Sequence, residues 1–203
     1  MADLERFMHA ENDGLPMLLR AGLAHVQFET IHPFLDGNGR IGRLLITFLL
    51  CHSGMLREPL LYLSLYFKKH RDEYFELLAQ TRTQGDWESW LEFFLEGVRE
   101  TAEEAVTTAQ RLTELFRADR ERIVPAGRRA GSVLRVHDAM KERPIISLPE
   151  VVRETRLTPP TAGTSMDWLV KLGIAKEITG KRRNRVFVYR RYLDILNEGT
   201  ERP

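Results

Sequence analysis

The 203-residue sequence predicts a mainly α protein, a helical bundle followed by a smaller α+β domain. Apolar residues recur at helical spacing from residue 15 onward, and no alternating strand pattern appears before residue 123. Beyond that point three helical stretches precede two segments that alternate like strands. The charge changes sign at the same place: residues 1–122 carry 14 basic and 20 acidic side chains, whereas residues 123–203 carry 16 and 9. The division drawn from this is a first domain at 1–122, a linker at 123–130 around Pro125 and Gly127, and a second domain at 131–203.

The first helix follows Pro16, with Leu18, Leu19, Leu23, Val26 and Ile31 near helical spacing. Ile41, Leu44, Leu45, Phe48 and Leu49 mark a second helix starting near Arg40. Ile46 and Leu50 extend its apolarity, so it is expected to be buried on nearly every side until Gly54 stops it. Helices follow at about Pro59–Phe67 and Arg71–Thr83. Asp86 is a good N-cap for a long helix carrying Trp87, Trp90, Leu91, Phe94, Leu95, Val98, Ala102 and Ala105.

In the second half, Ser132–Glu142 is amphipathic, and Ser147 with Pro149 opens a short helix. Thr161–Leu172 forms a third helix ended by Gly173. Ile174–Thr179 and Arg185–Arg190 then read as two strands joined by a basic tip. Three helices and a hairpin in this order are the winged helix-turn-helix plan.

Composition bounds the function. With 43% hydrophobic and 29% charged residues the chain can build a core, which excludes collagen-like and broadly disordered classes. No run of about 18 apolar residues exists, so no membrane partner is expected. A single cysteine, Cys51, and no signal-like segment at Met1 point to a cytoplasmic location.

The chemistry concentrates in Ile31–Arg43, between two helices. Backbone N–H groups of Gly37, Asn38 and Gly39 at a helix start lack internal partners, and the helix dipole favours an anion there. Arg40 and Arg43, three apart on one expected face, add two forks for phosphate oxygens. Asp36 supplies a hard oxygen for Mg²⁺, and His32 is the nearby side chain that takes a proton near neutral pH. The stretch also fits G-x-G-x-x-G, but a helix rather than a strand precedes it, so the dinucleotide reading fails on context. No phosphate-binding loop of the G-x-x-x-x-G-K-[ST] type occurs.

His32 to Arg43 resembles the signature of the Fic family, H-x-F-x-[DE]-G-N-G-R-x-x-R, matching every specified position. The likeness extends through Leu60–Ser64 and Arg71–Phe75 to about Val98, and a carboxy-terminal winged helix is a common companion in that family. The resemblance implies a helical Fic-type bundle that transfers AMP from ATP to a protein hydroxyl, with Mg²⁺. By the same resemblance His32 is the base, Asp36 the metal ligand, and Gly37, Asn38 and Gly39 the anion hole, with the Asn38 side chain on the α-phosphate side. Arg40 and Arg43 would hold the outer phosphates, Phe34 would anchor the loop in the core, and Tyr74 and Phe75 would lie near the nucleobase. Gly37 and Gly39 argue against the family's phosphotransferase branch. Relatives place a β-hairpin flap upstream of the motif and often carry an inhibitory [ST]-x-x-x-E-[GN] helix; neither is legible here. The chain accordingly reads as the carboxy-terminal portion of a larger Fic protein or as a shortened one, with weak transfer expected of it.

Three functions stay open: an AMP-transferring enzyme acting on an unknown target protein, a nucleic-acid-binding regulator, and a protein-interaction module. For DNA the candidates are Thr161, Thr164 and Ser165 on the third helix, with Lys181, Arg182, Arg183 and Arg185 on the wing. A second copy of the chain is a further candidate partner.

Overall fold

A computed structural model describes residues 1–10, 14–57, 62–181 and 184–198. The chain divides into two compact units, 1–106 and 107–203.

In the first unit, α1 (Ala2–Met8), α2 (Met17–Ile31), α3 (Asn38–His52), α4 (Leu63–Lys69) and α5 (Arg71–Gln84) precede α6 (Trp87–Ile123), whose first 20 residues belong to this unit. The core is aromatic. Trp90 is fully buried among His25, Phe67, Tyr74, Phe93 and Phe94, and its indole N–H donates to the Gly22 carbonyl at 3.0 Å. Asp86 caps α6 as expected, its Oδ1 accepting from the Ser89 N–H at 3.1 Å.

Two expectations need correction in this unit. Helix α3 begins at Asn38, and it is not buried all round: Ile41, Leu44 and Phe48 form an exposed stripe at i, i+3 and i+7 while Ile46, Leu49 and Leu50 enter the core. The start of the helix expected at Pro59 lies outside the described residues, and α4 begins at Leu63.

The second unit takes the rest of α6, a 3₁₀ turn at Val124–Arg129, α7 (Ala130–Glu142), β1 (Ile145–Ser147), α8 (Leu148–Thr155), α9 (Pro159–Lys171), β2 (Lys176–Glu177), β3 (Val186–Val188) and α10 (Arg190–Asn197). The expected linker at 123–130 is therefore structured, and the compact units divide inside α6, because Leu115, Phe116 and Ile123 pack with the second core. Ser147 and Glu150 form a capping box at the start of α8. The sheet is three-stranded and antiparallel, in the order β1-β3-β2, with Ile146 opposite Phe187. The first strand escaped the sequence reading because Ile145-Ile146-Ser147 is too short to show alternation. The expected Arg185–Arg190 strand stops at Val188, and its last residue opens α10 instead.

A polar fastener closes this core. Asp119 is fully buried, accepts from the Tyr189 hydroxyl at 2.7 Å, and pairs with Arg122 at 2.8 Å and Arg191 at 3.3 Å. His137 lies behind Tyr189, its Nε2 at 3.3 Å from the hydroxyl.

Each unit thus encloses one histidine, His25 and His137, and burial pulls both from 6.5 down to about 4. The folded state holds them neutral while the unfolded chain protonates them below about pH 6.5. Stability is therefore complete above that pH and declines as pH falls toward 4. Between pH 7 and pH 5 each should cost about 2 kcal/mol. Thermal unfolding at the two pH values checks this, and His25→Gln should flatten the part belonging to the first unit. An unchanged slope in that variant would assign the pH dependence to other groups.

Candidate functional site

The motif sits where α2 hands over to α3. His32 caps α2 in the left-handed region at φ 50°, its N–H donating to the Phe28 carbonyl at 2.9 Å. Few non-glycine residues sit there, and the turn leaves the imidazole exposed at the head of the loop. The loop is clamped by one side chain: the Phe34 N–H donates to Asn38 Oδ1 at 2.9 Å, and Asn38 Nδ2 donates back to the Phe34 carbonyl at 2.6 Å. Gly37 then enters α3 at φ 84°, a conformation cheap only for glycine.

No side chain caps α3 among the described residues, as is also the case for α2, α4, α5, α7 and α9. Its first-turn N–H groups have no partners within the helix, and they point with the positive end of the dipole toward the loop that carries His32 and Asp36. Asp36 and Arg40 flank this end as a pair at 3.2 Å with side chains 94% and 74% exposed. Such a surface pair contributes at most about 1 kcal/mol, so it yields to a ligand at little cost.

Arg43 turns the other way. A Cβ on Gly39 would meet its Nη1 at 3.2 Å, and the Arg43 side chain is partly buried. Arg40 and Arg43 therefore do not share a face, contrary to the spacing argument: one reaches into solvent, the other lies partly buried beside Gly39. Tyr74 is 4% exposed, bonded to His25 Nε2 at 2.9 Å, and belongs to the core rather than to a surface beside a base. Phe75 is 54% exposed, with the Arg71 guanidinium 5.6 Å from its ring centre. Phe34 is 49% exposed and touches the core only through Phe28, so it is not a buried anchor. The Asn38 side chain is spent on the clamp, which leaves its backbone, not its amide, for an anion.

One residue that the motif does not contain belongs here. Glu29 lies on α2, four residues after His25 and three before His32. Burial pushes its carboxyl above the usual range, while His32, Arg43 and Arg82 pull it back. The signal in the sequence was the i, i+4 spacing of His25 and Glu29 on the buried side of α2.

In the second unit Thr161 and Thr164 are exposed on α9, though their hydroxyls bond Thr158 and the Pro160 carbonyl at 2.9 Å. Ser165 is buried and donates to Ser132 Oγ at 3.0 Å, which corrects its expected place at a groove: α9 turns that face to α7. Arg185 pairs with Asp167 at 2.9 Å and packs over Phe187 at 4.8 Å. Lys181 is exposed, and Arg182 and Arg183 lie outside the described residues. No helix among the described residues is long and apolar enough to cross a membrane, and none of their side chains gather into a group of three or more metal-ligating residues.

The start of α3 thus brings together Gly37 and Gly39 with His32, Asp36 and Arg40 around one helix end. Residues 1–50 match the model of the Fic/DOC family. The chain is 34% identical over 102 residues to a protein named protein adenylyltransferase Fic from Culex quinquefasciatus, a match covering 50% of this chain and 19% of that protein. A protein of the same name from Nematostella vectensis is 35% identical over 99 residues, covering 45% and 22%. The matched segment thus spans about a fifth of these relatives. A crystallised Fic family protein from Desulfovibrio desulfuricans G20 shares the fold, with a TM-score of 0.51 at 23% identity over 93% of this chain and 53% of that one. The likeness to Fic proteins is concentrated in the amino-terminal unit, which carries the signature at residues 32–43.

Proposed function

We propose that the protein transfers AMP from ATP to a hydroxyl side chain of a target protein. The observation that carries this reading is the uncapped start of α3 beside the exposed His32. The name borne by its relatives, protein adenylyltransferase, supports it.

In this reading the N–H groups of the first turn of α3 bind the phosphate to be attacked, and Gly37 and Gly39 let it approach without a Cβ in the way. His32 takes the proton of the attacking hydroxyl, whose oxygen bonds to the α-phosphorus as pyrophosphate leaves. Arg40 and Arg43 address the outer phosphates from two sides. A lone exposed carboxylate at the mouth of a phosphate cradle fits Mg²⁺, which takes one or two carboxylates and fills its shell with phosphate oxygens and water, so Asp36 would hold it. The ion supplies charge neutralisation for the polyphosphate. Phe75 offers its exposed ring to the nucleobase.

For the second unit, the order α7-β1-α8-α9-β2-β3 supports a winged helix that recognises a partner. Thr161, Thr164 and Lys181 are the exposed part of the surface expected to meet nucleic acid.

Calorimetric titration of the chain with ATP, with and without Mg²⁺, tests the nucleotide site. One Mg²⁺-dependent site is expected, and Asp36→Ala should weaken it by about tenfold or more, the loss of one charge-assisted contact. Equal affinity with and without the ion would remove Asp36 from this role.

A further inference from the structure

Five glutamates recur four residues apart along α6: Glu88, Glu92, Glu96, Glu100 and Glu104. Like charges at that spacing repel on a helix surface. The chain's own cations answer only part of the row. The Lys69 ammonium lies 3.1 Å from Glu104 and 3.9 Å from Glu100, and Arg99 Nε donates to Glu96 at 2.9 Å. Glu88 and Glu92 pair with no cation among the described residues. Glu73 of α5 has the His70 imidazole beside it, at 3.6 Å, and no lysine or arginine among the described residues. Negative charge is thus left over where α5 meets α6.

Glu73, Glu92 and Glu96 line one open cleft of about 670 Å³, together with Tyr66, Leu77 and Phe93. A cleft of that size holds a small ligand or a few side chains. Tyr66 is seated in it by a glycine. A Cβ on Gly97 would lie 2.5 Å from the Tyr66 ring, so the ring packs against the α6 backbone only because residue 97 has no side chain. Glycine inside a long helix is unfavourable, and here it admits the ring. Tyr66 is 6% exposed, on the side that lines the cleft, yet its hydroxyl has no hydrogen-bond partner among the described residues. A nearly buried hydroxyl without a partner is costly, and a ligand in the cleft would supply one.

We propose that this cleft docks a lysine- or arginine-bearing segment of a protein partner. The cationic head enters beside Glu73 and Glu92 and donates to the Tyr66 hydroxyl oxygen, while its methylene stem lies on Phe93 and on the half-exposed Leu95. An ammonium or guanidinium carries donors and no acceptor, so it satisfies carboxylates and hydroxyl together. The rings of Tyr66 and Phe93 add their own attraction for a cation. An acidic segment would be repelled by the same row. The cleft is built from α4, α5 and α6, and none of its residues belongs to the loop between α2 and α3. Docking therefore stands apart from the nucleotide reading above.

The test is fluorescence anisotropy of a labelled peptide alternating lysine and alanine, titrated with the full chain at low salt and without nucleotide. Saturable binding is expected, absent for the peptide with glutamate in place of lysine and weakened as salt rises. Glu92→Lys should weaken it about tenfold or more, whereas Glu5→Lys, the same charge reversal at an exposed position on α1, should weaken it less than about twofold. Tyr66→Phe keeps the ring and should cost about threefold to tenfold. Glu92→Lys should not lower the melting temperature, since it turns the repulsions from Glu88 and Glu96 into attractions. Absence of saturable binding, equal losses in Glu5→Lys and Glu92→Lys, or full affinity in Tyr66→Phe overturns the proposal. Self-association of the chain in sedimentation, abolished by Glu92→Lys, would give the cleft to a second copy and overturn it as well.

Discussion

Replacing His32 by Ala is expected to lower transfer of the α-phosphate label from ATP to protein by roughly 10²–10⁴-fold, with Mg²⁺–ATP affinity unchanged. The imidazole is exposed and contributes nothing to the core, so the loss falls on the proton-transfer step. The backbone needs a control, because residue 32 sits at φ 50° and alanine is strained there by about 1 kcal/mol. Asparagine tolerates that conformation and cannot act as a base at neutral pH. His32→Asn should therefore be as inactive as His32→Ala while unfolding at the temperature of the unaltered protein. Retained transfer in the asparagine variant would take His32 out of the chemistry.

The largest effect on stability is expected from Trp90→Ala. The indole is fully buried, touches five aromatic rings, and satisfies the Gly22 carbonyl in the middle of α2. Truncation removes the ring and leaves a cavity that the stacked neighbours cannot collapse to fill, at a cost of about 3–5 kcal/mol. In a unit of about 100 residues that corresponds to a fall of more than about 10 °C in melting temperature. Trp90→Phe keeps most of the volume and should lose far less. Denaturant unfolding followed in the first unit checks both. A loss under about 1 kcal/mol for Trp90→Ala would mean that the aromatic cluster does not hold α2 against α6.

Trp90 stacks on His25, and His25 in turn bonds the Tyr74 hydroxyl of α5.

Much of this arrangement was legible in the sequence. Helices α2, α3, α5 and α6 followed from their apolar spacing and the caps at Asp86 and Ser147 from residue chemistry, whereas α1 (Ala2–Met8) was too short to show a period. The loop between α2 and α3, and the positive φ of Gly37 at its end, were legible in the signature His32–Arg43. What the sequence concealed were side-chain directions. Arg40 and Arg43 are three apart, yet one is solvated while the other lies partly buried beside Gly39. Asn38 looks like a ligand in a list of polar residues, but both ends of its amide are occupied by Phe34. Tyr74 and Phe75 are adjacent in sequence and project in different directions, as neighbours on a helix must. The exposed stripe Ile41, Leu44 and Phe48 could not be told from a buried face, since apolarity alone does not say which side of a helix meets the core. Strand β1 was too short to alternate, and Ser165 was hidden by its contact with Ser132.

The central claim is that the start of α3 holds ATP so that its α-phosphate, not its γ-phosphate, is transferred. The most direct measurement is to incubate the protein and Mg²⁺ with cell lysate and ATP labelled at one position or the other, then follow label in protein. The account predicts incorporation from the α-label, none above background from the γ-label, and loss of the signal in His32→Asn. Incorporation from the γ-label, or α-label transfer that survives in His32→Asn, would contradict it.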